Sequence, residues 1–502
     1  MPPRRPRDPF PDLERLIAAD YRRRVLGKFR ENPGHPYEDG MERRFSGALA
    51  VRWKALTGGR DDVTMVRLFP LPDSDFIRWA AEDAESHSPG YRAPDFLTCF
   101  AIDCPPGVDA QRLARGLAEW PEVELAYVQG LPSLPPGFPV VADYSPEPYF
   151  PYERHLSDAP EGIGVRRAWA YPGGDGSGVR FVDVEQGWRL AHEDLPQQPR
   201  IPLLPAGVSL SHDFHEHGTE VLGVVLAVPN GRGAVGIAPG VRAQVVSEWW
   251  KRPGLTWPPP PITHCPARAI FYAACLLGRG DVMLLESQSY TEEEGVTSPR
   301  PLEIEPLNFM AIRFATARGI VVVEPAGNGA DDTGLGNLDA SEFARKFDRS
   351  ERDSRAILVA AAEWFPPSAG VTGYFKRRDN SNHGTRVDCF AWGADVVTLG
   401  EPDGPGEMTE DGVRLAQGYV TSFNRTSSAS AIIAGVCAVV QGISCWRRGG
   451  PLPVEKLRSI LSDPGYGTQA FTAEPGAAGT AVDPTVGVMP DLGRILQYFG
   501  LD

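Results

Sequence analysis

No two of the seven cysteines stand at Cys-x-x-Cys spacing: Cys99, Cys104, Cys265, Cys275, Cys389, Cys437 and Cys445 are odd in number and scattered. A disulfide framework therefore does not organise this chain, and reduced thiols are expected. Positive charge is also short. Lys and Arg number 50 against 65 Asp and Glu, a formal net charge of −15, which is the wrong sign for a general nucleic-acid binder. The Arg- and Pro-rich start, Met1 to Asp20, lacks the apolar core of a signal peptide, and no other apolar run approaches a membrane span. These absences point to a soluble, cytoplasmic protein with neither membrane nor nucleic acid as partner. Internal repeats are missing too.

What is present is the composition of a globular protein. Hydrophobic residues make up 42 % and charged residues 23 % of 502 positions, enough chain for more than one domain. Proline is abundant, at 49 residues, which favours fixed loops over long helices.

Texture divides the chain in three. Residues 1–130 begin with a charged arm, Leu13 to Arg30, whose composition predicts a helix. A strand (Phe96 to Ile102), a helix (Val108 to Trp120) and a second strand (Val123 to Val128) follow, so a small α+β domain is expected. Residues 131–151, with seven prolines, read as a stiff linker or a rigid surface loop. From 152 to 502, strands and helices alternate. Strands are expected at Val179 to Val184, Gln244 to Val246, Val282 to Leu285, Ile320 to Val323 and Ala356 to Ala361. Helices are expected at Ala267 to Leu277 and Pro306 to Arg318. This pattern predicts an α/β domain with a mostly parallel sheet covered by helices on both faces.

Reacting groups in such sheets lie at the carboxyl ends of strands. Asp183 and Glu185 end the strand that begins at Val179, and either carboxylate can orient an imidazole. Asn328, in Pro325-Ala326-Gly327-Asn328-Gly329, follows another strand and carries an amide donor suited to an oxyanion. His217, in His217-Gly218-Thr219-Glu220-Val221, opens an apolar helix and can act as a base. Ser427, in Arg425-Thr426-Ser427-Ser428-Ala429-Ser430-Ala431, sits in the first turn of a long run of small and apolar residues. The backbone N–H groups and dipole there favour negative charge, and a Ser so placed is a nucleophile if an imidazole and a carboxylate reach it. Each residue alone has an ordinary structural role as cap, turn or core group.

Taken together, the order acid, His, Asn, Ser resembles the subtilisin-like serine peptidases. Thr426, Ser427 and Ala429 match that family's Gly-Thr-Ser-x-Ala-x-Pro word, with Arg425 in place of Gly and Ala431 in place of Pro. His217, Gly218, Thr219, Val221 and Gly223 match the His word, and Asn328 matches the oxyanion Asn. Ser381 to Gly393, with Asp388, resembles the stretch ahead of the Ser loop. The likeness runs from about Gly162 to Val440. It implies that Ser427 attacks, that His217 is base and then acid, and that the Ser427 N–H and Asn328 hold the oxyanion. Counting back from His192-Glu193-Asp194-Leu195 places the orienting acid on Glu185, a Glu where the family has Asp. Asp183 is the rival, with the usual residue type two positions early. Glu286, Ser287 and Gln288 on one side, and Ala326 and Gly327 on the other, are the expected substrate-binding residues. Bulk near Gln288 and Ser289 reshapes the pocket relative to the glycines common there.

The implied partner is a protein or peptide substrate, and no cofactor is required. Structural calcium has only the acidic surplus and Asp331-Asp332 to recommend it, and solvated loop charge explains both. Residues about 95 to 130 resemble the β-α-β part of inhibitory pro-domains, which makes an intramolecular inhibitor cut away in the linker one expectation and an unrelated recognition domain the other. Two further alternatives are an inactive binding module on the same fold and a metallohydrolase using His212, His215 and His217. Gly231-x-Gly233-x-x-Gly236 fits a dinucleotide pattern, but Pro239-Gly240 follows at once, so a loop is expected there.

Overall fold

Segments such as Val282–Leu285 (VMLL) and Val321–Pro325 (VVVEP) are buried along their whole length, as strands covered on both faces must be. The computed structural model describes residues 24–501 except 31–36, 71–72, 89, 106, 130–148, 197–200, 205–213, 252–261, 294–295, 330–335, 341–343, 369–370, 403, 410–411 and 478. In it these strands occupy the centre of a ten-stranded sheet. The order is Gly467–Gln469, Val488–Pro490, Cys389–Trp392, Ile357–Phe365, Val321–Pro325, Val282–Leu285, Arg180–Glu185, Arg242–Ser247 and Leu203–Leu204, with Tyr374–Arg377 added beside Ile357–Phe365. Pairing is parallel except where Gly467–Gln469 and Tyr374–Arg377 join. The mostly parallel α/β expectation holds, and each expected strand and helix of this region is present with ends shifted by a few residues.

One helix, Arg425–Arg448, is long and apolar enough by composition to cross a membrane, yet 94 % of its apolar window is buried inside the protein. This corrects the expectation that no apolar run approaches a span. The helix is built largely from Ala, Ser, Gly and Val, whose small side chains let it lie close against the sheet.

The front of the chain forms a separate four-stranded antiparallel sheet of order Thr64–Arg67, Cys99–Asp103, Arg24–Phe29, Val123–Val128. Two sequence expectations change here. Arg24–Phe29 is a buried central strand and not part of a helical arm; residues 1–23 lie outside the described residues. Its charged members are accommodated because Arg24 pairs with Asp103 at 2.8 Å and Lys28 with Glu124, so sheet pairing outweighs the helical composition. Phe96–Thr98 is a 3-10 turn, capped by the Asp95 carboxylate on Leu97 N–H, and the strand starts only at Cys99. The helix between the strands is Ala110–Ala118, capped by Asp109.

This front sheet shares one apolar cluster with the helices Pro266–Leu276 and Pro306–Ala317 of the larger sheet. Phe69 and Phe96 lie 4.7 and 4.5 Å, centroid to centroid, from Phe271, and Phe96 lies 5.1 Å from Phe314. The junction is fastened by Arg318 on Asp83 at 2.9 Å and by Gln129, whose amide donates to the His264 carbonyl at 2.6 Å. Most of the expected linker, residues 130–148, lies outside the described residues. Its far end is docked on the larger domain: Tyr149 is buried, and its hydroxyl accepts from Ala416 N–H at 2.6 Å. All seven cysteines are unpaired.

Candidate active site

Alternation along the Arg180–Glu185 strand puts Asp183 and Glu185 on the same side, two residues apart. Only Glu185, at the strand's end, hydrogen-bonds to the imidazole. Its Oε2 is 2.6 Å from His217 Nδ1, while its Oε1 accepts the Gln186 N–H at 2.7 Å. Asp183 turns elsewhere, with Oδ2 accepting from the Trp188 indole at 2.7 Å. Both carboxyls are buried, and burial pushes both well above the usual carboxylate range.

His217 stands in the first turn of the His215–Leu226 helix. Gly218 lets that turn approach the acid segment, since a Cβ there would lie 2.2 Å from the Gly187 carbonyl oxygen. Phe423 covers the imidazole edge-on at 5.8 Å. Burial lowers the His217 pKa, with Glu220 and Asp183 opposing, so the ring is held neutral, the form in which it accepts a proton.

Ser427 is half-buried in the first turn of the Arg425–Arg448 helix. Among the described residues no hydrogen bond joins it to His217, and its N–H has no acceptor; an unliganded nucleophile–base contact is commonly loose. Asn328 is locked beside this turn. Its Oδ1 accepts from both the Thr426 N–H at 3.1 Å and the Thr426 hydroxyl at 2.8 Å, which leaves the donor end of the amide, Nδ2, for another acceptor. Arg425, where the related word has Gly, takes φ 68°. The turn thus keeps a glycine-like backbone although the glycine is gone.

The expected substrate-binding residues divide in two. Ala326 and Gly327 are fixed from behind by Asn382, whose amide donates to the Ala326 carbonyl at 2.8 Å. Gln288 reaches across to accept the Asn328 N–H at 2.9 Å. Ser287 donates to Glu248 at 2.7 Å, and Glu248 also holds His264 at 2.8 Å. Glu286 faces inward, where its Oε1 accepts from the Ser430 hydroxyl at 2.6 Å. Asp388 lies apart from these groups in a buried ion network. Arg386, fully buried, bridges it to Glu303, and Arg458 and Arg349 bind its other oxygen.

Sequence reasoning missed the roles of Thr426, Asn382 and Ser430 in fixing these groups. Their partners are 98, 56 and 144 residues away, and no local pattern marks them.

For a metal, Glu185, His217 and Glu286 offer ligand atoms that all lie within 4.8 Å of one another, and one imidazole with two carboxylates is a donor set that suits zinc. The expected His212-His215-His217 alternative is not this group: His212 and Asp331-Asp332 lie outside the described residues, and His215 is not among the three. Gly231 to Gly236 form a loop that opens no helix.

Residues 206–463 match the model of a protein family described as the subtilase family. Alkaline elastase YaB of Bacillus sp. (strain YaB) is 26 % identical over 271 residues, which is 53 % of this chain and 55 % of that protein. The chain thus spans about half the length of this curated relative. Fervidolysin from Fervidobacterium pennivorans, a keratinolytic enzyme related to subtilisin, shares the fold with a TM-score of 0.54 at 15 % identity, over 96 % of this chain and 62 % of its own.

Proposed function

Because this chain belongs to the subtilase family, we propose that it is a serine endopeptidase acting through Ser427, His217 and Glu185. The observation that carries this reading is the buried 2.6 Å bond between Glu185 and His217 Nδ1, beside a helix start that presents Ser427. With Nδ1 held by the carboxyl, Nε2 is the free nitrogen of the ring. It takes the Ser427 proton as Oγ attacks the scissile carbonyl and returns it to the leaving amine. The charge that forms on the carbonyl oxygen meets the Ser427 N–H and Asn328 Nδ2. Glu286 to Gln288 and Ala326-Gly327 flank the substrate on either side.

The test is mass-spectrometric mapping of a fluorophosphonate adduct on the purified protein. The adduct is expected on Ser427 and absent from Ser427→Ala, together with loss of peptidase activity. Full activity in the Ser427→Ala protein ends the proposal. A metallohydrolase is the second reading, favoured by the Glu185, His217 and Glu286 donor set. It requires inhibition by a chelator and none by the phosphonate, whereas the serine reading requires the reverse.

The front domain is assigned an inhibitory, chaperone-like role on the same reading. Its support is the chain of contacts from Gln129 at the end of the last front strand, through His264 and Glu248, to Ser287 in the substrate-lining segment. Wild type is expected to be cut within residues 131–151, while Ser427→Ala stays full length; if both stay full length, self-processing is wrong.

A further inference from the structure

We propose that this site selects a glycine or alanine on the acyl side of the cut bond, and that Gln288 is the residue that closes the cleft to anything larger. The inference rests on the serine-peptidase reading above and adds to it the class of substrate that the cleft takes.

The side chain of that substrate residue would enter between the two flanking segments, Glu286 to Gln288 and Ala326-Gly327. The walls of an open slot are reached by water, since ligand sites are concave and solvent-filled when empty. Here most of the wall is not reached. Glu286 is 4 % exposed, Ser287 3 % and Ala326 0 %, and Gly327 is buried as well. Of these five residues only Gln288 is partly exposed. The space between the walls is therefore already filled, as close packing of a protein interior requires.

Two parts of the chain fill it. At the mouth, the Gln288 side chain reaches across to accept the Asn328 N–H at 2.9 Å, so one hydrogen bond ties wall to wall. Beyond the mouth, Gln288 opens a hairpin in which Gln288–Glu293 pairs with Val296–Pro301. The return strand of this hairpin runs between the walls. Arg300 pairs with Ser289 on one side. On the other, its carbonyl carbon and Cα stand 3.3 and 3.5 Å from where a Cβ on Gly327 would lie. The Asn382 amide fastens that second side, donating to the carbonyls of Pro299 at 2.9 Å and Ala326 at 2.8 Å.

A glycine or alanine in the substrate asks for almost no room in this slot. A longer side chain has to break the Gln288–Asn328 bond and push Gln288 aside. That leaves the Asn328 N–H without its acceptor, in the residue whose side-chain amide is assigned to the oxyanion. The return strand, held on both sides, limits how far any side chain then reaches. Large residues are rejected by a barrier built into the cleft, and not by a weaker attraction.

The experiment compares kcat/KM for fluorogenic peptides that differ only in the residue before the cut bond: Gly, Ala, Leu, Phe or Lys. Wild type, Gln288→Ala and Gln288→Glu are measured, with thermal melts to confirm the fold. Wild type is expected to cut after Gly and Ala at least about a hundredfold faster than after Leu or Phe. Gln288→Ala empties the mouth and should raise the Leu-to-Ala ratio about tenfold or more. Gln288→Glu keeps both the bulk and the acceptor and should retain the wild-type order among Gly, Ala, Leu and Phe. Comparable rates after Ala and Phe in wild type, or an unchanged Leu-to-Ala ratio in Gln288→Ala, overturn the inference and leave the peptidase reading intact. No cleavage of any peptide, together with no fluorophosphonate adduct at Ser427, removes both.

Discussion

Replacing Glu185 by Gln tests the acid proposed to orient His217, and its hydrogen bonds set out what the change disturbs. Glu185 uses both oxygens: Oε1 takes the Gln186 N–H at 2.7 Å and Oε2 takes His217 Nδ1 at 2.6 Å. A glutamine has one oxygen for these two donors. If it stays on Gln186, its NH₂ faces the imidazole, which must then carry its proton on Nε2 and cannot accept one from Ser427. If it turns to the imidazole, a buried backbone N–H loses its acceptor, at about 1–3 kcal/mol. The first outcome leaves the backbone bond intact and is the expected one, and a wrong tautomer of this kind costs about 10⁴ in turnover, or roughly 5 kcal/mol of barrier. Asp183→Asn is the control: its Oδ1 can still accept from the Trp188 indole, so turnover should fall less than about tenfold. The assay is hydrolysis of a fluorogenic peptide mixture by each purified variant, with thermal melts to confirm folding. Wild-type turnover in Glu185→Gln, or a collapse confined to Asp183→Asn, would refute the argument.

The oxyanion assignment predicts that Asn328→Ala lowers turnover about a hundred- to a thousandfold with little change in KM; an unchanged kcat removes Asn328 from that role. Arg425 holds φ 68°, a backbone region that disfavours side chains by about 1–2 kcal/mol, part of which glycine gives back in unfolded-state entropy. Arg425→Gly should therefore raise stability by about 0.5–1 kcal/mol in urea unfolding, and a loss of stability contradicts it. Burial pushes the Glu220 carboxyl up to about 8, with His217 opposing. A folded pKa above the unfolded one means stability present at low pH and lost as pH climbs. The advantage of Glu220→Gln over wild type in melts should then widen between about pH 5 and pH 8 and level off above; a constant difference refutes it.

Much of the architecture is readable from the chain because its signals are local. VMLL and VVVEP announce strands buried on both faces, and the His217, Asn328 and Ser427 words each stand at the start of a helix or the end of a strand. Counting from His192 to Leu195 points to Glu185, the carboxyl that the structure bonds to the imidazole. What stays hidden depends on long-range pairing. Arg24–Phe29 lies at the end of a charged arm that reads as a helix, and antiparallel pairing with the distant strands Cys99–Asp103 and Val123–Val128 makes it a strand. Glu286 reads as a pocket wall because its hydroxyl partner, Ser430, is 144 residues distant. Arg425 breaks the expected word without changing the backbone turn, a substitution whose strain is visible in a dihedral angle and in no spacing.

The aromatic seam between the small sheet and the Pro266–Leu276 and Pro306–Ala317 helices has a kinetic consequence. Phe69, Phe96, Phe271 and Phe314 are all nearly or fully buried while the two parts are joined, and separating them wets every one of these rings. Cutting the peptide chain between the parts changes connectivity but uncovers none of that surface. If the chain is cut there as proposed, the front piece is expected to stay in place on its own adhesion, so that detachment or digestion of that piece, not the speed of the cut, would govern the delay before the larger part stands alone.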